Sequence, residues 1–308
     1  MHIPEGMLTQ QTTVASWIAS LPVVGYAVVT VRKKMSDSRV VLMAVLAALI
    51  FALQMLNFPV AGGTSGHFAG GAAAAIILGP WAAVLIMTTV LIIQAFMFAD
   101  GGVLALGANM FNMAIVGPMV GWAVYALVTK LRDTRVGRSI GSFTAAWSAT
   151  MAAALCAGLM LWISGRAPFG IAVGSMAFWH AIIGVGEGLI TAALVNYILS
   201  VRPDILEAPE RTVSTRGVAI GMGVLAFLAA GLSFLASGNP DGLEYVYEKI
   251  GTSYTATELV SGPLPDYAVP GLSNETLAGI LAGFVGVIVT GVGLYAVITA
   301  LRGRRLGQ

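Results

Sequence analysis

The topology of this chain depends on a short apolar stretch, Phe68-Ala69-Gly70-Gly71-Ala72-Ala73-Ala74-Ala75-Ile76-Ile77-Leu78-Gly79-Pro80. A straight helix needs about 20 residues to cross the hydrocarbon core of a bilayer, and this stretch is too short for that. Pro80 cannot continue a helix that begins before it. The stretch is therefore predicted to form a partial helix buried inside a helix bundle.

Eight longer apolar runs surround this stretch, and each is long enough, or nearly so, to cross a membrane. The chain of 308 residues is 57% hydrophobic and 10% charged, and its mean hydropathy is +0.88. Soluble domains carry about 25% charged residues. The sequence therefore predicts an all-α polytopic membrane protein, with runs at 12–31, 40–57, 81–98, 104–129, 141–164, 173–201, 217–237 and 276–301.

Four basic clusters predict the orientation of these runs, because cytoplasmic loops are enriched in Lys and Arg. The chain must cross the membrane an even number of times between the first two clusters. Three long runs lie there, so the stretch 68–79 is the only candidate for the fourth crossing. This places the N-terminus outside and the C-terminus in the cytoplasm. The clusters are Arg32-Lys33-Lys34, then Lys130 with Arg132, Arg135 and Arg138, then Arg202, Arg211 and Arg216, and finally Arg302, Arg304 and Arg305.

The chain begins with Met1 and His2, which together offer three nitrogen donors to a metal. These are the α-amine, whose pKa in peptides is about 8, the amide of His2 and its imidazole. If the amide is deprotonated, the three nitrogens form a planar chelate of the kind that Ni(II) or Cu(II) prefers. A retained Met1 is required, and the bulk of His2 and the absence of a cleavable signal peptide favour this. The alternative is a frayed terminus without a ligand.

His67 could supply a fourth nitrogen, since it lies at the outer start of the short stretch, on the same side as Met1. The glycines around it, in Gly62-Gly63-Thr64-Ser65-Gly66, allow a close approach of another backbone. The alternative is an ordinary loop histidine at the membrane surface. The metal hypothesis predicts that binding weakens at acid pH, because protons compete for these nitrogens.

Other polar residues within the apolar runs have two possible roles. His180, Glu187 and Thr191 share one helix face with Gly184 and could form a proton path. Interhelical hydrogen bonds that lock the bundle are the favoured interpretation.

Asn109 and Asn112 lie one turn apart at the outer end of their run. They could orient the N-terminal segment as a second layer around the metal, or they could hold helices together.

Several functions are not supported by the sequence. It has no P-loop, G-x-G-x-x-G, H-E-x-x-H or C-x-x-C motif, so we expect no ATP hydrolysis, no enzymatic activity and no organic cofactor. The single cysteine, Cys156, excludes an intrachain disulfide. The net charge of +2 reflects membrane topology, and no nucleic-acid partner is expected.

The motifs together resemble one known family, the NikM/CbiM substrate-binding membrane subunits of nickel and cobalt energy-coupling-factor transporters. The resemblance covers about residues 1–201, and a fused NikN/CbiN-like part follows. It is carried by Met1 to Leu8, Gly63-Thr64-Ser65-Gly66-His67, Asp100-Gly101-Gly102 with Leu106 to Asn109 and Asn112-Met113, His180 to Glu187, and Asn239-Pro240-Asp241-Gly242-Leu243-Glu244, which resembles the PDGLE signature.

This resemblance implies a seven-helix substrate-binding (S-component) bundle over 1–201, a cytoplasmic linker over 202–216 and a two-helix unit over 217–308. The polar outer loop 238–275 would lie on the face of the metal site and shape entry. The implied metal ligands are Met1, His2 and His67.

The resemblance also implies partners and a location: a NikQ/CbiQ-type transmembrane coupling subunit and NikO/CbiO-type ATPases in a bacterial or archaeal cell membrane. Ni(II) is the favoured transported substrate. Co(II) stays open as a second substrate, and Cu(II) would bind the same nitrogens.

Three other functions stay open at this point. One is a proton-coupled secondary transporter that uses His180 and Glu187. The second is a membrane metalloenzyme or redox protein, for which the chain has few ligands. The third is a structural membrane subunit without a metal.

Overall fold

Apolar helices dominate the architecture of a computed structural model, which describes residues 1–60, 62–203, 205, 216–250, 259 and 261–303. Seven of its helices are long and apolar enough to cross a membrane. The all-α polytopic fold expected from the sequence is confirmed.

Within the described residues, the elements follow the apolar runs. A small antiparallel hairpin, with β1 at Phe58–Val60 and β2 at Thr64–Gly66, pairs Phe58 with Gly66. Helix α5 contains a π-helical stretch at Met110–Val116. The helices are α1 Gln10–Lys34, α2 Asp37–Gln54, α3 Gly71–Leu78, α4 Pro80–Met97, α5 Leu106–Leu131, α6 Arg135–Ile163, α7 Phe169–Val201, α8 Arg216–Gly231, α9 Gly242–Ile250 and α10 Glu275–Gly303.

The short stretch forms α3, a partial helix inside the bundle as the sequence predicts. All eight of its residues are buried. One residue, Gly79 with φ +89°, separates α3 from α4, and a positive φ of this size is accessible mainly to glycine. Pro80 occupies the first turn of α4, where its missing N–H costs nothing. The chain thus changes direction at Gly79 without a loop.

The C-terminal helices α8 and α10 pack against α2. Helix α10 makes its closest approach at Gly286, where an added Cβ would lie 2.1 Å from the ring of Phe51. Gly283, one turn earlier, faces Met55 in the same way, with 3.1 Å to its Cε. Small residues let membrane helices approach each other, and these two glycines join the C-terminal helices to the rest of the bundle.

Two regions differ from the sequence expectation. The run 217–237 is helical only to Gly231, and a short turn follows at Ser233–Leu235. The segment 238–275 contains α9, whereas the sequence predicted only a loop there. Buried Leu243 and Val246 lie on one face of this helix and account for it. Most of the linker predicted over 202–216 lies outside the described residues.

The packing of α10 predicts different effects for two glycine-to-alanine substitutions on the same helix. Gly286→Ala should destabilise the protein by about 2 kcal/mol, because the methyl group overlaps the Phe51 ring. Gly293 has no heavy atom within 4 Å of an added Cβ, so Gly293→Ala should be neutral or slightly stabilising. Thermal unfolding in detergent measures both variants. Equal midpoints would contradict this contact between α2 and α10.

Candidate metal centre

The N-terminal segment is buried in the bundle. Met1, Ile3 and Met7 are 5%, 0% and 1% exposed. The guanidinium group of Arg166 donates hydrogen bonds to the carbonyls of Gly6 at 2.7 Å and Met7 at 2.8 Å. In this structure the terminus is therefore packed and hydrogen-bonded, in contrast to a frayed end.

Asn109 in α5 holds the segment two residues beyond the terminal amine. Its Oδ1 accepts a hydrogen bond from the Ile3 amide at 2.8 Å, and its Nδ2 donates to the Ile3 carbonyl at 3.1 Å. The Gly102 amide donates to the same carbonyl at 3.0 Å. An added Cβ at Gly102 would lie 2.5 Å from the Glu5 nitrogen, so the Asp100-Gly101-Gly102 turn requires its second glycine. These contacts fix the position of Met1 and His2.

The structure brings the three sequence-predicted ligand residues together. The α-amine nitrogen of Met1 lies 3.2 Å from Nε2 of His67. The rings of His2 and His67 stack with centroids 5.5 Å apart and planes 17° apart. The same amine forms an ion pair with Asp241 of the C-terminal unit.

Both ring nitrogens of His2 face oxygen atoms. Nδ1 lies 3.1 Å from Asp100 Oδ1, and Nε2 lies 3.2 Å from Gln94 Oε1. A neutral imidazole carries only one N–H, so one of the two nitrogens faces an acceptor with its lone pair. A metal ion would be a more favourable partner for that lone pair than the oxygen atom it faces. In this structure the His2 ring is thus held between Asp100 and Gln94.

A chain of amide side chains links His2 to the loop that carries His67. Gln94 donates from Nε2 to Gln54 Oε1 at 2.7 Å, and Gln54 donates to the Ala69 carbonyl at 2.8 Å. The two candidate histidines are thus coupled through α2 and α4.

Burial keeps both candidate imidazoles in the form that binds metals. Loss of solvent lowers the pKa of His2, although Asp100 opposes this. Burial holds the pKa of His67 well below its ordinary value, and the charge of the Met1 amine adds to the effect. Both rings are therefore neutral near pH 7, and neutral imidazole is the metal ligand.

Glu187 in α7 anchors the loop between His67 and α3. Its carboxylate accepts hydrogen bonds from the Ala69 amide at 2.8 Å and the Gly70 amide at 3.0 Å. These two residues directly precede α3, and the helix dipole also favours a carboxylate near the N-terminal end of a helix. Gly70 has φ +79° at this bend. Glu187 thus sets where His67 lies relative to the N-terminal segment.

The remaining sequence candidates make hydrogen bonds within the helix bundle, and the His180 ring also lies against the turn at Gly242. The Nδ1–H of His180 donates to the carbonyl of Met176 at 2.9 Å, and His180 and Glu187 are not hydrogen-bonded to each other in the described part of the chain. His180, Glu187 and Thr191 are all buried on the inward face of α7. Asn112 donates to the Met160 sulfur at 3.6 Å and so contacts α6.

Sequence reasoning assigned no role in the site to four residues: Asp241, Asp100, Gln94 and Gln54. A polar residue inside an apolar run, as at 94 and 54, was the available signal for the two glutamines. Asp241 could have been found from the pattern Asp-x-x-Glu, which begins many helices. Among residues 1–303 as far as they are described, no three His, Cys, Asp or Glu side chains form a metal-holding group. The candidate set depends instead on the main-chain amine and amide.

Comparison with known proteins places the chain in a family. The sequence model of the CbiM family, described as a cobalt uptake substrate-specific transmembrane region, matches residues 2–205. The chain belongs to the CbiM family. A PDGLE domain model matches residues 215–303. The protein is thus a multi-pass membrane protein of the CbiM type.

Relatives match over nearly the whole chain. The Archaeoglobus fulgidus "Putative fused nickel transport protein NikMN" is 40% identical over 94% of this chain and 95% of its own length. The Rhodobacter capsulatus "Fused nickel transport protein NikMN" is 35% identical over 100% of both. A crystal structure of a truncated transition metal transporter is 37% identical, with a TM-score of 0.57 over 65% of this chain and 99% of that one.

The contacts of Glu187 predict a large effect of Glu187→Ala in this CbiM-type protein. Two buried amides would lose their acceptor, which should cost about 3 kcal/mol of unfolding free energy. Thr191→Val, on the same face of α7, is the control. Within the described residues the Thr191 hydroxyl has no hydrogen-bond partner, so this change should be nearly neutral. Thermal unfolding compares the two, and similar midpoints would contradict the anchoring role of Glu187.

Proposed function

We propose that this protein is the substrate-binding membrane component of an energy-coupling-factor transporter that imports a divalent transition metal, with Ni(II) as the favoured substrate. The proposed ligands are the Met1 α-amine, the His2 amide and ring nitrogens, and a ring nitrogen of His67. The observation that supports this most directly is the distance of 3.2 Å between the Met1 amine and His67 Nε2.

This distance is close to what a shared metal requires. With metal–nitrogen bonds of about 2.0 Å, two neighbouring donors of a square plane lie about 2.8 Å apart. The amine and the amide of the next residue are joined through one Cα and one carbonyl carbon, so together they can close a small chelate ring on a metal. Movement of the His2 ring away from Asp100 or Gln94 would add the remaining nitrogen.

Nickel is favoured over cobalt for two reasons. Four nitrogens in a plane suit low-spin Ni(II) better than Co(II). Relatives that match almost the entire chain are named nickel transport proteins, whereas the family description names cobalt uptake. Cobalt import by the same site is the second candidate.

The transporter needs partners, because the sequence contains no P-loop. We propose a NikQ/CbiQ-type membrane subunit and NikO/CbiO-type ATPases. The proposed units are 1–201 for metal binding, 202–216 as a cytoplasmic linker and 217–308 as a unit in which two helices, α8 and α10, cross the membrane. The N-terminus and the outer segment 238–275 face outside, and the C-terminus faces the cytoplasm.

A proton-coupled transporter based on His180 and Glu187 is a weaker alternative. His180 is bonded within its own helix, and Glu187 is occupied by two backbone amides. This arrangement supports structural roles for both residues. Metal uptake without an ATPase, abolished by a protonophore, would favour the alternative.

Nickel binding by the purified protein with its native N-terminus tests the proposal. We expect one equivalent of nickel with a yellow, diamagnetic, square-planar signature, and its loss in His2→Ala, in His67→Ala and after extension ahead of Met1. The same extension at the C-terminus is the control and should bind within about threefold of wild type. Metal content and absorption spectra give the readout. An N-terminally extended protein that binds normally would contradict the chelate, and cobalt in place of nickel would change the substrate.

The affinity for nickel should fall as the pH falls from 8 to 6, by about tenfold per unit for each competing proton. Protons compete with the metal for the nitrogen donors, and the lowered pKa values of His2 and His67 reduce the share of the two imidazoles in this competition. Isothermal titration at several pH values measures the slope. A flat profile would contradict coordination by the amine.

A further inference from the structure

Asp241 brings a carboxylate of the C-terminal unit directly to the terminal amine. The ion pair joins residues 240 positions apart, and the two side chains are 5% and 14% exposed. Burial by itself would raise the pKa of Asp241, but the charge of the amine outweighs this and holds it below the ordinary value. The PDGLE-like turn therefore reaches the centre of the proposed metal site.

The turn that carries Asp241 is held at its start by a capping box. Asp241 Oδ1 accepts hydrogen bonds from the amides of Leu243 at 2.7 Å and Glu244 at 2.9 Å. In turn, Glu244 Oε2 accepts a hydrogen bond from the Asp241 amide at 2.8 Å. One carboxylate oxygen thus begins α9, and the other, Oδ2, is directed at the Met1 amine.

The hairpin next to His67 holds the same turn from a second side. The amide of Ser65 donates to the Pro240 carbonyl at 2.8 Å, and its hydroxyl donates to the Asn239 carbonyl at 2.9 Å. The Thr64 hydroxyl also donates to Pro240, at 3.0 Å. The strand that leads to His67 and the turn that carries Asp241 therefore move together.

Helix α7 holds the turn from a third side. An added Cβ at Gly242 would lie 2.9 Å from Cε1 of His180 and 3.0 Å from Cδ1 of Ile183, so only glycine fits there. Trp179 packs against Tyr245 of α9 with ring centroids 4.8 Å apart. The packing of this turn against its neighbours therefore fixes the position of the Asp241 carboxylate. The position does not depend on the side-chain rotamer alone.

We propose that Asp241 is a positioning residue of the metal site: its carboxylate holds the Met1 amine by a hydrogen bond while the amine binds the metal. This inference rests on the proposed function. An amine that gives its lone pair to a metal keeps two N–H groups, so Asp241 can accept one of them in the bound state. Partners of this kind orient ligands, and their loss typically costs ten- to a hundredfold in affinity.

The charge of the bound site supports the same role. A divalent metal with one deprotonated amide carries a net charge of +1, and a buried charge needs a counter-charge. Asp241 supplies it on the side of the amine. Asp100 lies beside the His2 ring, 3.1 Å from Nδ1. The two carboxylates thus bracket the proposed donors.

Two substitutions separate this role from helix capping. Asn and Ser both begin helices well, so Asp241→Asn and Asp241→Ser should keep α9 in place while they remove the carboxylate. We expect both to weaken nickel binding by ten- to a hundredfold in full-length protein. Glu275→Gln removes an exposed carboxylate from the start of α10 and should bind nickel within about twofold of wild type. Circular dichroism and thermal unfolding verify that each variant is folded.

The reactivity of the terminal amine gives a readout that does not involve metal. Metal-free protein is treated with an N-hydroxysuccinimide ester, and acetylation of the N-terminal peptide is followed by mass spectrometry. Wild type and Glu275→Gln should react slowly, since the amine is buried and paired, and both Asp241 variants should react about tenfold faster. Helical content should stay unchanged in all four proteins.

The proposal requires both effects in both Asp241 variants. Nickel binding within twofold of wild type, or unchanged acetylation, would overturn it and leave Asp241 as a helix cap only. Tighter binding would also overturn it, because the carboxylate would then compete with the metal for the amine. If wild type bound neither nickel nor cobalt, the proposed function would fail, while faster acetylation of the Asp241 variants would still support the hold on the amine.

Discussion

The positive charge on the Met1 amine lies inside the protein, where an unpaired ion would be very costly. Its counter-ion, Asp241, comes from the far end of the chain. The residues that follow are held in turn by Asn109 of α5 and by Arg166 between α6 and α7. Each of these contacts comes from a different element. The N-terminal segment therefore connects several parts of the helix bundle to one another. The segment is thus a structural element as well as the proposed donor of the metal ligands.

The short helix α3 has a comparable role on the other side of the site. A helix that ends inside a membrane protein leaves backbone groups that lipid cannot satisfy, so its ends must be covered by protein. Glu187 binds the amides of the two residues that precede α3, and the junction at Gly79 leads directly into α4. His67 lies just before the start of α3 in the sequence. The need to satisfy this helix end therefore also determines where the imidazole lies.

The sequence predicts the fold better than it predicts the site. The apolar runs give the spans, and the even number of crossings between basic clusters identifies α3, because both depend on local composition and length. The sequence also proposes Met1, His2 and His67 as metal ligands, and the structure brings these three residues close together. The sequence does not predict α9, the ion pair of Asp241, or the pairing of His2 with Asp100 and Gln94. These contacts join residues far apart in the chain, and side-chain pairing of this kind depends on packing that no local pattern contains.

The pairing of residue 1 with residue 241 has a consequence for biosynthesis. At about 5–20 residues per second, the ribosome needs on the order of tens of seconds to reach Asp241 after it has made Met1. During that time the amine has no counter-ion, and the segment Met1 to Leu8 has no complete binding surface. The ion pair of the first residue can therefore form only after the C-terminal unit has been made.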